Sequence, residues 1–141
     1  EEKAETLGRR AVETEPKNAY LWLNFGNILK RRGKIDEAIQ AQTTAVNLKP
    51  EMGPLRGSLA HLLEKSGRAD EAEIHFRELL EIEPTNPVVW FWLAKFLKEH
   101  KSEQRDEALK AIEEAISLNN PQKVPPEELE EIKSKLGALK K

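Results

Sequence analysis

Residues 16–50, PKNAYLWLNFGNILKRRGKIDEAIQAQTTAVNLKP, decide the fold. The apolar and small side chains Trp22, Phe25, Gly26 and Leu29 recur at helical spacing, and so do Ile35, Ala38, Ile39, Ala45, Val46 and Leu48. Gly33 interrupts the pattern and divides the stretch into two helices, A and B. Asp36 and Glu37 open helix B, where carboxylates meet the positive end of the helix dipole. Pro50 ends it, because proline cannot continue the backbone ladder.

The same stretch returns along the chain. Asp-Glu-Ala stands at Asp36-Glu37-Ala38, Asp70-Glu71-Ala72 and Asp106-Glu107-Ala108, with the alanines 34 and then 36 residues apart. Ala4 lies 34 residues before Ala38, and Pro16, Pro50 and Pro84 keep the same step of 34. Two independent markers with one period predict a repeat architecture. The second copy carries Leu59, Ala60, Leu63, Gly67, Ala72, Phe76 and Leu79. The third carries Trp90, Leu93, Ala94, Leu97, Ala108, Ile112, Ala115 and Leu118. Gly26, Ala60 and Ala94 share one place in helix A, and Ala38, Ala72 and Ala108 share one in helix B. A residue without bulk at these places lets the two helices of a hairpin approach closely.

With Trp22, Phe25, Gly26, Leu29, Ala38, Ala45 and Pro50 in this register, the sequence resembles the tetratricopeptide repeat (TPR) family. The resemblance implies an all-α, right-handed solenoid of stacked antiparallel helix hairpins, a TPR-like superhelix. It also implies a protein-binding adaptor or scaffold rather than an enzyme. The second repeat departs from the family pattern at the large aromatic place, where Arg56 stands. The third lacks the inter-helix glycine and gains two residues between His100 and Asp106.

The expected organisation is a second helix of a truncated repeat at 1–15, then repeats at 18–51, 52–85 and 86–120, then a linker and capping helix at 121–141. Leu129, Ile132, Leu136 and Leu139 give the last helix an apolar stripe, and its glutamates precede its lysines as the dipole prefers. A stack of repeats needs such a terminal element with a polar outer face.

In the family, helix A lines the concave groove. On that resemblance the expected peptide-binding positions are Tyr20, Leu23, Asn24 and Asn27 in the first repeat, Ser58 and His61 in the second, and Phe91, Trp92 and Lys95 in the third. Trp92 is the sharpest candidate. Trp90 fills the packing place, so Trp92 points elsewhere on the helix, and aromatic residues are enriched at binding hot spots. Asn24 and Asn27 offer amides to a bound peptide backbone. Some relatives grip the C-terminal carboxylate of heat-shock chaperones with a clamp of Lys, Asn and Arg. Aligned with that clamp, Leu23, Ser58, Val88 and Trp92 depart and only Asn27 matches, so a chaperone tail is disfavoured. The mixed polar and aromatic lining favours a protein or peptide with an apolar anchor.

The 141 residues suffice for one core, and a net charge of −2 gives no pull toward nucleic acid. The basic run Lys30-Arg31-Arg32-Gly33-Lys34 sits at a helix end, where cations suit the dipole, and no basic stripe continues from it. No apolar run is long enough for membrane insertion. Without cysteine there is no disulfide, which fits a cytoplasmic setting. His61, His75 and His100 lack metal-site spacing, and neither a phosphate loop nor a nucleophile motif appears, so no cofactor and no metal are expected. The chain opens on Glu1 rather than Met, so it reads as a piece of a longer polypeptide, which keeps a docking segment of a larger enzyme open. An unpaired helix B at 1–15 leaves apolar surface uncovered, so a homo-oligomer is the other alternative.

Overall fold

The computed structural model describes residues 2–138. The helices are α1 (Glu2–Thr14), α2 (Ala19–Arg31), α3 (Ile35–Leu48), α4 (Gly53–Lys65), α5 (Ala69–Ile82), α6 (Pro87–His100), α7 (Arg105–Leu118) and α8 (Pro126–Ala138). A short 3₁₀ turn, Ser102–Gln104, precedes α7, and no strand occurs among the described residues. The chain forms two compact units, one ending at His75 and the other beginning at Phe76. Leu139, expected at the end of the capping stripe, lies outside the described residues.

In the first unit α2 pairs with α3, α1 packs on α2, and α3 packs on α4. Asn18 starts α2 by accepting the Tyr20 and Leu21 amides at 3.1 and 3.4 Å, which satisfies two N–H groups that have no partner within the helix. Phe25, Leu29, Ala38, Ala45, Leu59 and Leu63 are buried. Each large member of that set stabilises the fold by roughly 1.5–3 kcal/mol. Gly26 is needed for the close approach of α2 and α3. A Cβ built there would stand 2.7 Å from Gln42 Cγ and 3.3 Å from the Ala38 carbonyl. Gly33 closes the α2–α3 turn at φ +81°, a conformation that side chains disfavour.

The basic run after α2 has a specific use. Arg32 Nε and Lys34 Nζ meet the two carboxylate oxygens of Glu5 at 2.6 and 2.8 Å, and Arg9 joins at 3.3 Å. Glu5 is 9% exposed, and the cluster ties α1 to the α2–α3 turn. The Lys34 hydrogen bond, then Arg9 and Arg32, hold the Glu5 carboxyl below the usual carboxylate range against the opposing effect of burial.

In the second unit α6 pairs with α7, and α8 packs mainly on α7 and also touches α6. Asn86 starts α6 by accepting the Val88 amide at 3.0 Å, followed by Pro87 at the first helical position. The two extra residues after His100 are taken up by the 3₁₀ turn, which replaces the glycine turn seen at Gly33 and Gly67. Phe76 and Phe96 pack with ring centroids 5.2 Å apart. Leu129, Ile132 and Leu136 of α8 are buried, and Arg105 Nε donates to the Leu136 carbonyl at 2.7 Å.

Candidate partner-binding surface

In the first unit the expected groove residues of α2 divide by their facing. Tyr20 is 53% exposed, and its hydroxyl lies 3.3 Å from Met52 Sδ. Asn24 is exposed, while Leu23 and Asn27 are half-buried. On α4, Ser58 and His61 are half-buried, and His61 Nδ1 lies 3.8 Å from the Glu64 carboxylate. Asn27 and Ser58 are joined through a residue absent from the expected set. Gln42 is 1% exposed. Its amide donates to Asn27 Oδ1 at 3.0 Å, and its carbonyl accepts from Ser58 Oγ at 3.3 Å. This chain rigidifies the α2–α4 surface, because a buried polar group that is satisfied on both sides fixes its neighbours. Gln42 was findable in the sequence: it stands in the register of Phe76 and Ile112, an amide in an apolar series.

In the second unit Phe91 and Trp92 are half-buried and Lys95 is exposed. Trp90, two positions before Trp92, donates its indole N–H to the Pro84 carbonyl at 2.8 Å. Trp22 makes the same bond to Pro16 at 2.8 Å. Between them in the repeat, Arg56 occupies the aromatic place, is 8% exposed, and donates to the Pro50 carbonyl at 3.2 Å. The guanidinium also lies 3.2 Å from His75 Nδ1. Because arginine can only donate, that His75 nitrogen is the acceptor.

A second kind of surface repeats as well. In the first unit a cavity of about 350 Å³ is lined by Val12, Trp22, Phe25 and Ala41, with Arg9 and Glu37 paired at 3.3 Å on its wall. In the second unit a cavity of about 480 Å³ is lined by Leu80, Trp90, Leu93 and Ala111, with Arg77 Nη2 donating to Glu107 Oε1 at 3.0 Å. Allowing for the two-residue insertion, the residues just named correspond position by position, whereas Glu13 and Leu29 line only the first cavity and Glu113 only the second. Hydrogen bonding from Arg77 holds the Glu107 carboxyl below the usual carboxylate range.

Residues 1–119 match the family described as the cilia and flagella-associated protein 70 middle TPR-like domain. The chain belongs to this family. It is 32% identical to Protein NPGR2 of Arabidopsis thaliana over 105 residues, covering 72% of this chain and 14% of that protein. It is also 32% identical to the tetratricopeptide repeat-containing protein trd-1 of Caenorhabditis elegans over 91 residues, covering 64% of this chain and 11% of that protein. The chain thus spans a small part of these relatives. The solved structure of MamA MSR-1 C2 superposes with a TM-score of 0.68 at 23% identity, covering 83% of this chain and 66% of that one, which establishes a shared fold. The chain is therefore an all-α TPR-type array of antiparallel helix hairpins, a protein-interaction fold. Among the described residues no helix is long and apolar enough to cross a membrane.

Proposed function

We propose that this chain is a peptide-binding adaptor or scaffold that uses the outward faces of its A helices. The observation that carries the reading is the split character of α2. Phe25, Gly26 and Leu29 are buried in the hairpin, while Tyr20 at 53% exposure and Asn24 face outward beside the Gln42-braced surface. A rigid helix presenting an aromatic ring and an amide suits an extended peptide, which brings backbone groups to the amide and an apolar side chain to the ring. On α6 the half-buried Trp92, in the register of Asn24, is the aromatic anchor.

Selection of peptides from a displayed library against the full chain tests this. Selected peptides should share a large apolar residue, and Trp92→Ala or Asn24→Ala should weaken them at least about tenfold, the size of a modest hot spot. Selection of no peptide, or peptides indifferent to both substitutions, would overturn it.

A second reading, self-association through α1, is favoured by Leu7, which is 56% exposed on a folded helix.

A further inference from the structure

Gln42 stands where the other two repeats are apolar. Its register continues at Phe76 and Ile112, and all three side chains are buried. An amide is costly in such a place unless its polar atoms are bonded. Both atoms of Gln42 are: Nε2 donates to Asn27 Oδ1 on α2, and Oε1 accepts from Ser58 Oγ on α4. Gly26 gives the side chain its room, since a Cβ there would come within 2.7 Å of Gln42 Cγ. One residue of α3 thus holds two surface residues on two different A helices.

The same two bonds fix what Asn27 and Ser58 have left to offer. Gln42 occupies the Asn27 oxygen, which leaves the Nδ2 hydrogens for a ligand. The Ser58 hydrogen is spent on Gln42, which leaves the lone pairs of the hydroxyl oxygen. Both residues are half-buried, so each still reaches solvent. A ligand here must accept at Asn27 and donate at Ser58. A main-chain residue in an extended peptide does both, as each hydrogen-bonded residue of a β ladder exchanges one C=O and one N–H. A terminal carboxylate can only accept, so it has no proton for Ser58.

We propose that Gln42 is a positioning residue of the peptide surface. It sets Asn27 as donor and Ser58 as acceptor, so that the first unit takes the main chain of an internal extended segment rather than a C-terminus. The proposal rests on the peptide-binding reading and gives the ligand its chemistry.

The probes are peptides selected against the full chain that Asn24→Ala weakens. Gln42→Met keeps the length of the side chain and its packing on Gly26, and removes both polar atoms. Its resistance to urea should be unchanged or higher, because the register is otherwise apolar and Asn27 and Ser58 can turn to water. Its affinity for these peptides should nevertheless fall at least about tenfold. A Gln42 that only supports the fold would show the reverse, lower stability at unchanged affinity. A second measurement leaves the core intact. N-methylation of the peptide, one residue at a time, should reveal one N–H whose loss weakens binding to the parent about tenfold and binding to Ser58→Ala hardly at all. Amidation of the peptide C-terminus should leave affinity unchanged. Peptides indifferent to Gln42→Met, tolerant of N-methylation at every residue, or dependent on a free carboxylate would overturn the proposal and leave peptide binding standing. Peptides that depend on Trp92 but never on Asn24 would do the same. Selection of no peptide would overturn the proposal together with the reading beneath it.

Discussion

The hairpins α2–α3 and α6–α7 are two solutions to one problem. Both bury a small residue in helix A against an alanine in helix B, Gly26 with Ala38 and Ala94 with Ala108, and both bond a tryptophan to the carbonyl of a preceding proline at 2.8 Å. They differ in their turns. The first closes through Gly33 at φ +81°, and the third uses a 3₁₀ turn lengthened by two residues. The helix contacts are therefore the fixed requirement, while the connection is free to vary. The middle repeat extends the lesson, because Arg56 serves where an indole serves in its neighbours. That place in the first turn of helix A needs a long side chain that can donate to a proline carbonyl, and aromaticity is one way of supplying it.

The largest effect should come from removing an indole. Trp22→Ala and Trp90→Ala each delete a half-buried ring and leave a proline carbonyl without its donor, so each should lose about 3 kcal/mol or more in urea unfolding. Trp22→Phe and Trp90→Phe retain most of the packing and should lose about 1 kcal/mol, the net value of the hydrogen bond. If the phenylalanine variants lose as much as the alanine variants, the bond rather than the ring is the common element. If they lose nothing, the equivalence with Arg56 is only positional.

Arg56 sharpens the comparison at the next level down. Arg56→Met keeps the length of the side chain but none of its donors, and should destabilise by about 1–3 kcal/mol as the Pro50 carbonyl loses this donor and His75 this contact. Arg56→Trp restores the neighbours' indole and should be less harmful than Arg56→Met under the same denaturant. Equal stability of Arg56→Met and the parent would sink the claim that a donor is required there.

These residues also mark how far the sequence could be read. The repeat was legible because two markers, Asp-Glu-Ala and proline, keep one period independently of each other. A period reveals which positions are alike, and the family resemblance then supplied the hairpin. What it hides is substitution by function rather than by type. Arg56 looks like a break in the pattern until its guanidinium is seen 3.2 Å from the Pro50 carbonyl. Gln42 looks like an ordinary polar residue until it is found 1% exposed between Asn27 and Ser58. Arg32 and Lys34 read as solvated turn cations, because their partner Glu5 lies 27 and 29 residues away in the chain. The exposure of Tyr20 and Asn24 followed from helical phase, since their neighbours Phe25 and Gly26 are claimed by packing.

The turns give a smaller contrast. Gly33→Ala forces a side chain into the left-handed region and should lose about 1–2 kcal/mol, although a Cβ there would touch nothing within 4 Å. The penalty is one of backbone conformation, not of space. In the third hairpin the exposed Ser102 lies in a 3₁₀ turn that any residue adopts, and Ser102→Ala should change stability by less than about 0.5 kcal/mol. Thermal unfolding of the two variants side by side separates them. A Gly33→Ala protein as stable as Ser102→Ala would show that the first turn can relax into another form.

The finest distinction is electrostatic and belongs to the first unit. The Glu5 carboxyl is held below its ordinary pKa of 4.5 in the folded state, with the Lys34 hydrogen bond as the largest cause. A depressed carboxylate contributes stability that is present above its unfolded pKa and lost as pH falls through the folded one. The Glu5 contribution should therefore be intact at neutral pH and disappear on acidification below about 4.5. Glu5→Gln keeps the shape, removes the charge, and should flatten that acid limb while lowering stability at neutral pH. The change is small because Arg9 and Lys34 are partly solvated, so water already screens their side of the cluster. Added salt should shrink the difference between parent and variant at neutral pH. An acid limb of unchanged slope in Glu5→Gln would assign the pH dependence to other depressed carboxylates, Glu107 beside Arg77 first among them. The loss of stability would then originate away from the α1 anchor, at Glu107 or Glu131 in the second unit or at Glu71 in the first.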